Sequence, residues 1–236
     1  MLLLCPAILF AQKKKVRHDP VYDKKPIHFG FTVGLNTMDF NVTQSDKFHD
    51  SLYADVSRLS PGFNVGIVSS FKLNEYFDLR ILPGITFGER TLSYYTYDTI
   101  TLKTIGFSKD QSIPSYFMEF PMIIKYKSKR INNFRPYLVG GANYRIDLAA
   151  RKEYDYKDKV FLRLRRSDIY YEVGFGIDFY NKYFKFSAEL KLAVGMRDVL
   201  FHDSGGDKDP TPSEPQYLLA IDRLQSNLWL LSFHFE

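Results

Sequence analysis

Strict alternation of apolar and polar side chains, repeated in segment after segment, is the feature of this sequence that most limits its fold. In residues 169–180 the apolar positions are Ile169, Tyr171, Val173, Phe175, Ile177 and Phe179, and between them lie Tyr170, Glu172, Gly174, Gly176, Asp178 and Tyr180. A period of two places successive side chains on opposite faces of a β-strand. We therefore expect a chain built from strands that each have one apolar and one polar face.

The same alternation occurs in residues 27–36, 61–70, 77–88, 116–126, 135–145, 184–195 and 229–235. Together these segments predict about eight strands, each close to the roughly 9 to 11 residues that a tilted membrane-spanning strand needs. Short polar connections at 72–75, 127–133 and 181–182 alternate with long charged loops at 37–60, 89–112, 147–167 and 197–222. This arrangement is typical of an all-β, eight-stranded, antiparallel up-and-down transmembrane β-barrel of the outer membrane.

The composition of the two faces indicates which one meets lipid. The apolar face is crowded with Phe, Tyr, Ile, Leu and Met, which would overfill the interior of an eight-stranded barrel. The polar face instead carries small residues, namely Gly30, Gly34, Gly66, Gly84, Gly88, Gly174, Gly176 and Gly195. A secreted lipocalin-like barrel with its apolar face inward is the alternative. The crowding argues for the lipid-facing orientation.

Charged residues of both signs fall on the inward face, and we predict that they form a structural charge network in the lumen. The network comprises Asp78, Arg80, Glu119, Lys125, Arg135, Arg145, Glu172, Asp178, Lys185, Glu189 and Lys191. Charges withdrawn from water must be paired and hydrogen-bonded, because an unpaired buried charge costs several kcal/mol. The alternative role, a proton or ion pathway, is disfavoured because barrels of this size rarely leave an open channel.

The N-terminal region predicts export from the cytoplasm. Residues 1–11 are an apolar run followed by Lys13, Lys14 and Lys15, which indicates a signal peptide cut near Ala11. A disordered hydrophobic tail is the alternative. We assign residues 12–26 to a basic N-terminal segment and residues 27–236 to a single barrel domain. The lone cysteine of the sequence lies within residues 1–11, so we expect no disulfide in the mature chain.

The sequence contains none of the common catalytic, metal-binding or nucleotide-binding motifs. It contains no CxxC, HExxH, Walker or dinucleotide-binding motif, so we expect no catalytic residue, no cofactor and no metal site. His49 and His202 each lie next to Asp and near Ser in a long loop, and a hydrolase at the barrel rim is the enzymatic alternative. Residues adjacent in sequence seldom converge as a catalytic triad. The net charge of +5 is spread along the chain, so we expect no nucleic-acid partner.

Three stretches resemble a known family. Residues 115–127 read Ser-Tyr-Phe-Met-Glu-Phe-Pro-Met-Ile-Ile-Lys-Tyr-Lys, and residues 130–144 read Arg-Ile-Asn-Asn-Phe-Arg-Pro-Tyr-Leu-Val-Gly-Gly-Ala-Asn-Tyr. Residues 168–178 read Asp-Ile-Tyr-Tyr-Glu-Val-Gly-Phe-Gly-Ile-Asp. These stretches are similar to the PorT family of Bacteroidetes outer-membrane barrels, and the resemblance spans about residues 27–235. It implies a non-enzymatic protein required for type IX secretion, which exports cargo with a C-terminal sorting domain and in some species supports gliding motility.

The resemblance also implies partners and a location. We expect an assembly or accessory partner of larger type IX secretion components, because folded cargo could not pass through so narrow a lumen. The other expected partners are outer-membrane lipid and, during insertion, the barrel-assembly machinery. The termini are expected in the periplasm and the long loops outside the cell. The alternative is a generic small outer-membrane barrel, either structural or a minor porin.

Overall fold

The computed structural model describes residues 25–44, 52–58, 60–98, 103–150, 164–200 and 221–236, and these residues form one antiparallel β-sheet. The strands are β1 (Ile27–Gln44), β2 (Leu52–Arg58), β3 (Ser60–Lys72), β4 (Phe77–Ile81), β5 (Gly84–Asp98), β6 (Lys103–Lys127), β7 (Phe134–Asp147), β8 (Ser167–Tyr180), β9 (Lys185–Gly195) and β10 (Ile221–Phe235). Within these ranges no helix is long and apolar enough to cross a membrane. The predicted signal peptide lies outside the described residues.

The sheet closes into a ring. β1 pairs with β10 along one edge and with β3 along the other, so the first and last strands are neighbours. β4 and β5 follow one another along a single line, because both pair with β3 and with β6. β2 continues the line of β3 and extends the pairing with β5. The ring therefore has eight strands in cross-section, and the predicted fold is confirmed.

A local gap at Leu82 and Pro83 separates β4 from β5. Proline has no amide hydrogen to donate to the ladder. The Pro83 carbonyl still accepts a hydrogen bond of 2.9 Å from the Ile67 amide of β3. The register between this line and β3 is the same on both sides of the gap. Side chains in residues 77–88 therefore keep the same alternation of inward and outward positions on both sides of the gap.

The prediction of long loops at 37–60 and 89–112 is wrong, because strands cover most of both segments. Residues 37–60 continue β1 and include β2, and residues 89–112 continue β5 and begin β6. β5 and β6 stay paired as far as Asp98 and Lys103. Beyond the membrane the outward face of a strand meets water, so pairing can continue without the apolar alternation that marks a lipid-facing strand. These two connections are therefore in large part extensions of the barrel wall.

The apolar face of the strands points outward, as predicted. Phe29 is 69% exposed and Ile67 is 59% exposed, and Leu138 and Phe175 are each 58% exposed. Residues between them in sequence are buried, and the alternation is complete along β7 and β8 apart from their glycines. An apolar surface this continuous requires lipid rather than water as its solvent. The protein therefore presents an apolar belt to the bilayer.

We expect the Phe175→Arg substitution to destabilise the barrel by about 2–4 kcal/mol, because it places a charge near the middle of the lipid-facing side of β8. The measurement is reversible urea unfolding of the protein inserted in phospholipid vesicles. Tyr183→Arg is the matched control, since Tyr183 is 84% exposed in the turn between β8 and β9. Equal losses for the two variants would contradict the lipid-facing assignment.

Candidate functional site

The barrel lumen is the candidate site, because it gathers the charged residues of the polar strand faces. All the predicted network members lie on the inward face, and none is more than 8% exposed. They come from β4 (Asp78, Arg80), β6 (Glu119, Lys125), β7 (Arg135, Arg145), β8 (Glu172, Asp178) and β9 (Lys185, Glu189, Lys191). The period of two brings them together, since each strand contributes every second side chain to the same narrow interior.

Arg145 is the centre of one charge cluster. Its Nε donates to Glu119 at 3.1 Å, and its Nη2 donates to Glu172 at 2.9 Å. Asn143 Nδ2 donates to the same two carboxylates, at 3.2 Å to Glu119 and 2.6 Å to Glu172. Lys191 Nζ contacts Glu172 Oε2 at 3.1 Å. Glu119 and Arg145 are direct cross-strand partners, so the β6–β7 register creates this cluster.

Lys125 and Asp178 form a second pair nearer the short turns. Lys125 Nζ donates to both carboxylate oxygens of Asp178, at 2.7 and 2.8 Å, and Ser187 Oγ donates to Asp178 at 2.6 Å. The ammonium also lies 3.6 Å from the centre of the Tyr137 ring. A Cβ at Gly176 would come within 2.5 Å of that ring. Glycine at this inward position therefore leaves the space that Tyr137 occupies.

An ion pair crosses the full width of the lumen. Arg80 Nη1 on β4 donates to Glu189 on β9 at 2.8 Å, and these strands lie opposite each other in the ring. Arg80 Nη2 lies 3.3 Å from Glu236, and Lys185 Nζ donates to Glu236 at 2.8 Å. Burial alone would raise the pKa of the Glu236 carboxyl, but Lys185 and Arg80 outweigh it and hold that pKa well below its ordinary value.

Two predicted members lie near the short-turn mouth. Asp78 accepts a hydrogen bond of 2.5 Å from Lys127 Nζ. The Arg135 guanidinium carbon is 5.7 Å from the centre of the Tyr180 ring, a cation–π distance. These contacts place charged groups at the end of the barrel where the short turns lie.

Sequence reasoning missed a further ion pair, between Arg90 and Asp147. Arg90 Nη2 lies 2.8 Å from Asp147 Oδ2, and Arg90 Nε donates to Ser115 at 2.7 Å. Its guanidinium also lies 4.5 Å from the centre of the Phe40 ring. Arg90 falls within the predicted loop at 89–112, and Asp147 falls at the edge of the predicted loop at 147–167. Their alternation was the available signal, because Asp147 follows Arg145 by two positions.

The lumen also contains apolar layers that were not predicted. One cluster near the long-loop end is Phe40, Leu92, Ile113, Leu164, Val199, Leu200, Ile221 and Leu224. A second is Met38, Phe117, Tyr170, Ala193, Leu228 and Leu230, and a third is Val68, Leu82, Ile123, Tyr137 and Val139. Packed apolar side chains therefore fill the lumen together with the predicted glycines and ions. Charged clusters alternate with packed apolar side chains inside the barrel.

Across the described ranges, no group of three or more His, Cys, Asp or Glu residues is placed to hold a metal ion. His49 and His202, the candidates for a rim hydrolase, lie outside the described residues. The acids and bases of the charge clusters neutralise one another at hydrogen-bond distance. Such an arrangement holds the barrel walls together.

We expect Lys125→Met to destabilise the barrel by about 3–5 kcal/mol, because it leaves the buried Asp178 carboxylate without its cation. The double variant Lys125→Met/Asp178→Asn should recover much of this loss, since it removes the uncompensated charge. Urea unfolding in vesicles measures both variants. Equal stability of the single variant and the wild type would mean that the pair is not desolvated in the folded barrel.

Comparison with known proteins agrees with the topology. A family model described as outer membrane protein beta-barrel domain matches residues 10–200, more than half of the chain. No curated protein matches the sequence significantly.

Several solved structures are similar to the chain at low identity. The attachment invasion locus protein Ail of Yersinia pestis, solved with the heparin analogue sucrose octasulfate, is 14% identical, with coverage of 88% of this chain and 96% of Ail and a TM-score of 0.39. Neisserial surface protein A is 11% identical, with coverage of 89% of this chain and 98% of that protein and a TM-score of 0.42. The outer membrane protease OmpT of Escherichia coli is 9% identical, with coverage of 89% of this chain and 94% of OmpT and a TM-score of 0.36.

Similarity at these TM-scores carries no argument about function. The assignment rests on the family model, which covers most of the barrel, together with the closed ring of antiparallel strands. The chain belongs to the outer membrane protein beta-barrel domain family, and it is a protein of the outer membrane.

Proposed function

We propose that this barrel is a non-enzymatic component required for type IX protein secretion, the export of cargo with C-terminal sorting domains, and in some species for gliding motility. The support for this pathway is the resemblance of residues 115–127, 130–144 and 168–178 to the PorT family. These segments lie in β6, β7 and β8, three adjacent strands of the ring.

The filled lumen is the observation that supports an accessory role rather than a conduit. Arg80 and Glu189 join opposite walls at 2.8 Å, and Arg145 joins β7 to β6 and β8. Apolar clusters pack between and above these charges. A folded protein cannot pass without breaking all of these contacts. The barrel would therefore act through its outer surface and its two ends, as an assembly or stabilising partner of larger secretion components.

Each remaining surface suits contact with a different partner. The apolar belt contacts outer-membrane lipid. The extended parts of β1, β2, β5 and β6 project beyond the belt at the long-loop end. The short turns lie at the other end, which faces the periplasm in barrels of this type. Insertion by the barrel-assembly machinery would precede any contact with secretion components.

Deletion of the gene should leave cargo bearing the C-terminal sorting domain inside the cell, and a plasmid copy of the wild-type gene should restore its export. Immunoblotting of cell-surface and periplasmic fractions measures the cargo. A copy carrying His49→Ala and His202→Ala should restore export equally, because the proposal gives these residues no catalytic role. Normal export in the deletion strain would remove the secretion role. Failure of the His variant at wild-type protein level would instead favour a rim hydrolase.

A second candidate function is that of a generic small outer-membrane barrel, structural or a minor porin. The family match fits this candidate at least as well, because the family is defined by its fold and location. The difference between the two candidates lies in the pathway and not in the fold.

The purified barrel should show no steady conductance in planar lipid bilayers, because ion pairs and packed apolar side chains block its axis. Single-channel recording of the wild type at several salt concentrations checks this. The double variant Arg80→Ala/Glu189→Ala is the matched comparison, since it removes the ion pair that crosses the lumen. Steady openings of the wild-type protein would favour the minor porin.

A further inference from the structure

Four exposed arginines lie at the long-loop end of the barrel, on the side formed by β8, β9 and β10. Arg165 and Arg166 precede β8, Arg197 follows β9, and Arg223 lies near the start of β10. These three strands are neighbours in the ring. We call the four residues the arginine rim. The rim brings side chains from three separate chain segments to one side of the barrel.

Hydrogen bonds place the segments of the arginine rim next to one another. Arg223 Nη2 donates to the Met196 carbonyl at 3.3 Å, and Arg197 is the next residue in the chain. The Arg165 amide donates to the Val199 carbonyl at 2.8 Å. The segment after β9 therefore lies between the segment before β8 and the start of β10.

Two carboxylates hold the backbone of these segments in place. Asp168 Oδ1 accepts a hydrogen bond of 3.2 Å from the Arg197 amide. Asp198 Oδ1 accepts hydrogen bonds of 3.0 Å from the amides of Leu200 and Leu224. These contacts join the segment after β9 to β8 and to β10. The backbone of the arginine rim is therefore ordered before any ligand binds, which lowers the entropy cost of binding.

The arginine rim faces away from the barrel interior. Leu164 and Leu224 belong to the buried apolar cluster at the long-loop end. Arg165 and Arg223 are their neighbours in sequence, and both are exposed. Successive side chains of an extended chain point to opposite sides. Because the two leucines point into the lumen, the arginines beside them point to the outer surface.

The outer surface of the same strands is apolar directly below the arginine rim. Met196 is 57% exposed, and Tyr171 and Trp229 are 45% and 50% exposed. Arg197 follows Met196 in the chain, and the Arg223 guanidinium reaches the Met196 carbonyl. The cations therefore begin where the apolar belt ends. In a membrane barrel this is the level of the lipid headgroups.

The arginine rim is confined to one side of the ring in the part of the chain that the structure describes. At the same end of β1, β5 and β6, the residues described as exposed are Asn41, Thr43, Glu89, Ser112 and Pro114. None of these five residues is basic. Cations are thus not a general feature of the level at which the wall leaves the apolar belt.

We propose that the arginine rim and the apolar wall below it bind a phosphate-bearing lipid of the outer leaflet. Guanidinium groups donate paired hydrogen bonds to phosphate oxygens. The acyl chains would lie against the apolar wall near Met196 and Trp229. Both parts of such a lipid meet a matching surface, whereas a free anion would use the arginines alone.

The position of the guanidinium groups carries this proposal, and net charge does not. Acids occur in the same segments, since Asp168 contacts the Arg197 amide and the exposed Asp222 precedes Arg223. A phosphate group has several acceptor oxygens and can accept from more than one guanidinium at once. The inference rests on the outer-membrane location of the barrel and not on the secretion role.

The test measures binding of bisphosphorylated lipid A to the full-length protein in detergent micelles by native mass spectrometry. The wild type should retain this lipid and should bind its dephosphorylated form much more weakly. The double variant Arg197→Gln/Arg223→Gln should weaken binding of the phosphorylated lipid by about tenfold or more, because it removes two cations at the headgroup level.

Lys129→Gln/Lys182→Gln is the matched control, because it also removes two exposed cations but at the short-turn end of the barrel. It should bind the lipid as the wild type does. The heat-dependent shift of the barrel on gels checks folding, and Arg165→Gln alone serves if the double rim variant does not fold. Equal binding of the two lipid forms, or equal losses for the rim variant and the control, would overturn the proposal. Displacement of the lipid by millimolar inorganic phosphate would overturn the lipid assignment and leave a site for free phosphate.

Discussion

Closure of the hydrogen-bond ladder between β1 and β10 is the constraint on which the rest of this structure depends. In a bilayer no water is available to the backbone, and each unpaired amide or carbonyl group costs several kcal/mol. The pairing runs from Phe31 with Phe235 to Gln44 with Ile221, so the terminal strands have neighbours on both sides. Because the ring is closed by only eight strands, its interior is narrow enough for side chains to fill.

The narrow interior determines the chemistry of the lumen. Opposite walls are close enough for Arg80 to reach Glu189, and each buried charge described above lies near groups that compensate it. Ion pairs in such a place are weak evidence for net stability, but breaking one is costly, because the remaining charge stays buried. Apolar clusters lie between the charged ones. The lumen thus acts as a solid core, and the surfaces available for function are the wall and the two ends.

The two ends of the barrel differ in structure. At the long-loop end, β5 and β6 remain paired beyond the apolar belt, and the apolar cluster that includes Phe40 and Leu224 fills the interior there. At the short-turn end, side chains from the turns at 72–76 and 127–135 line an open pocket. One end is therefore packed, while the other holds an open pocket.

The sequence by itself determined the number of strands around the ring, the two faces of each strand and many of the charged residues in the lumen, because a period of two is a local property of the chain. Glu172 lies between Tyr171 and Val173, and Asp178 lies between Ile177 and Phe179, so the alternation alone assigns both to the inward face. Only the tertiary structure decided which acid meets which base, since the contact of Arg80 with Glu189 depends on ring closure between distant strands. It also decided that β1, β5 and β6 extend past the membrane, where Arg90 and Asp147 pair. There the outward side chains meet water instead of lipid, so the alternation that marks a membrane strand is no longer required.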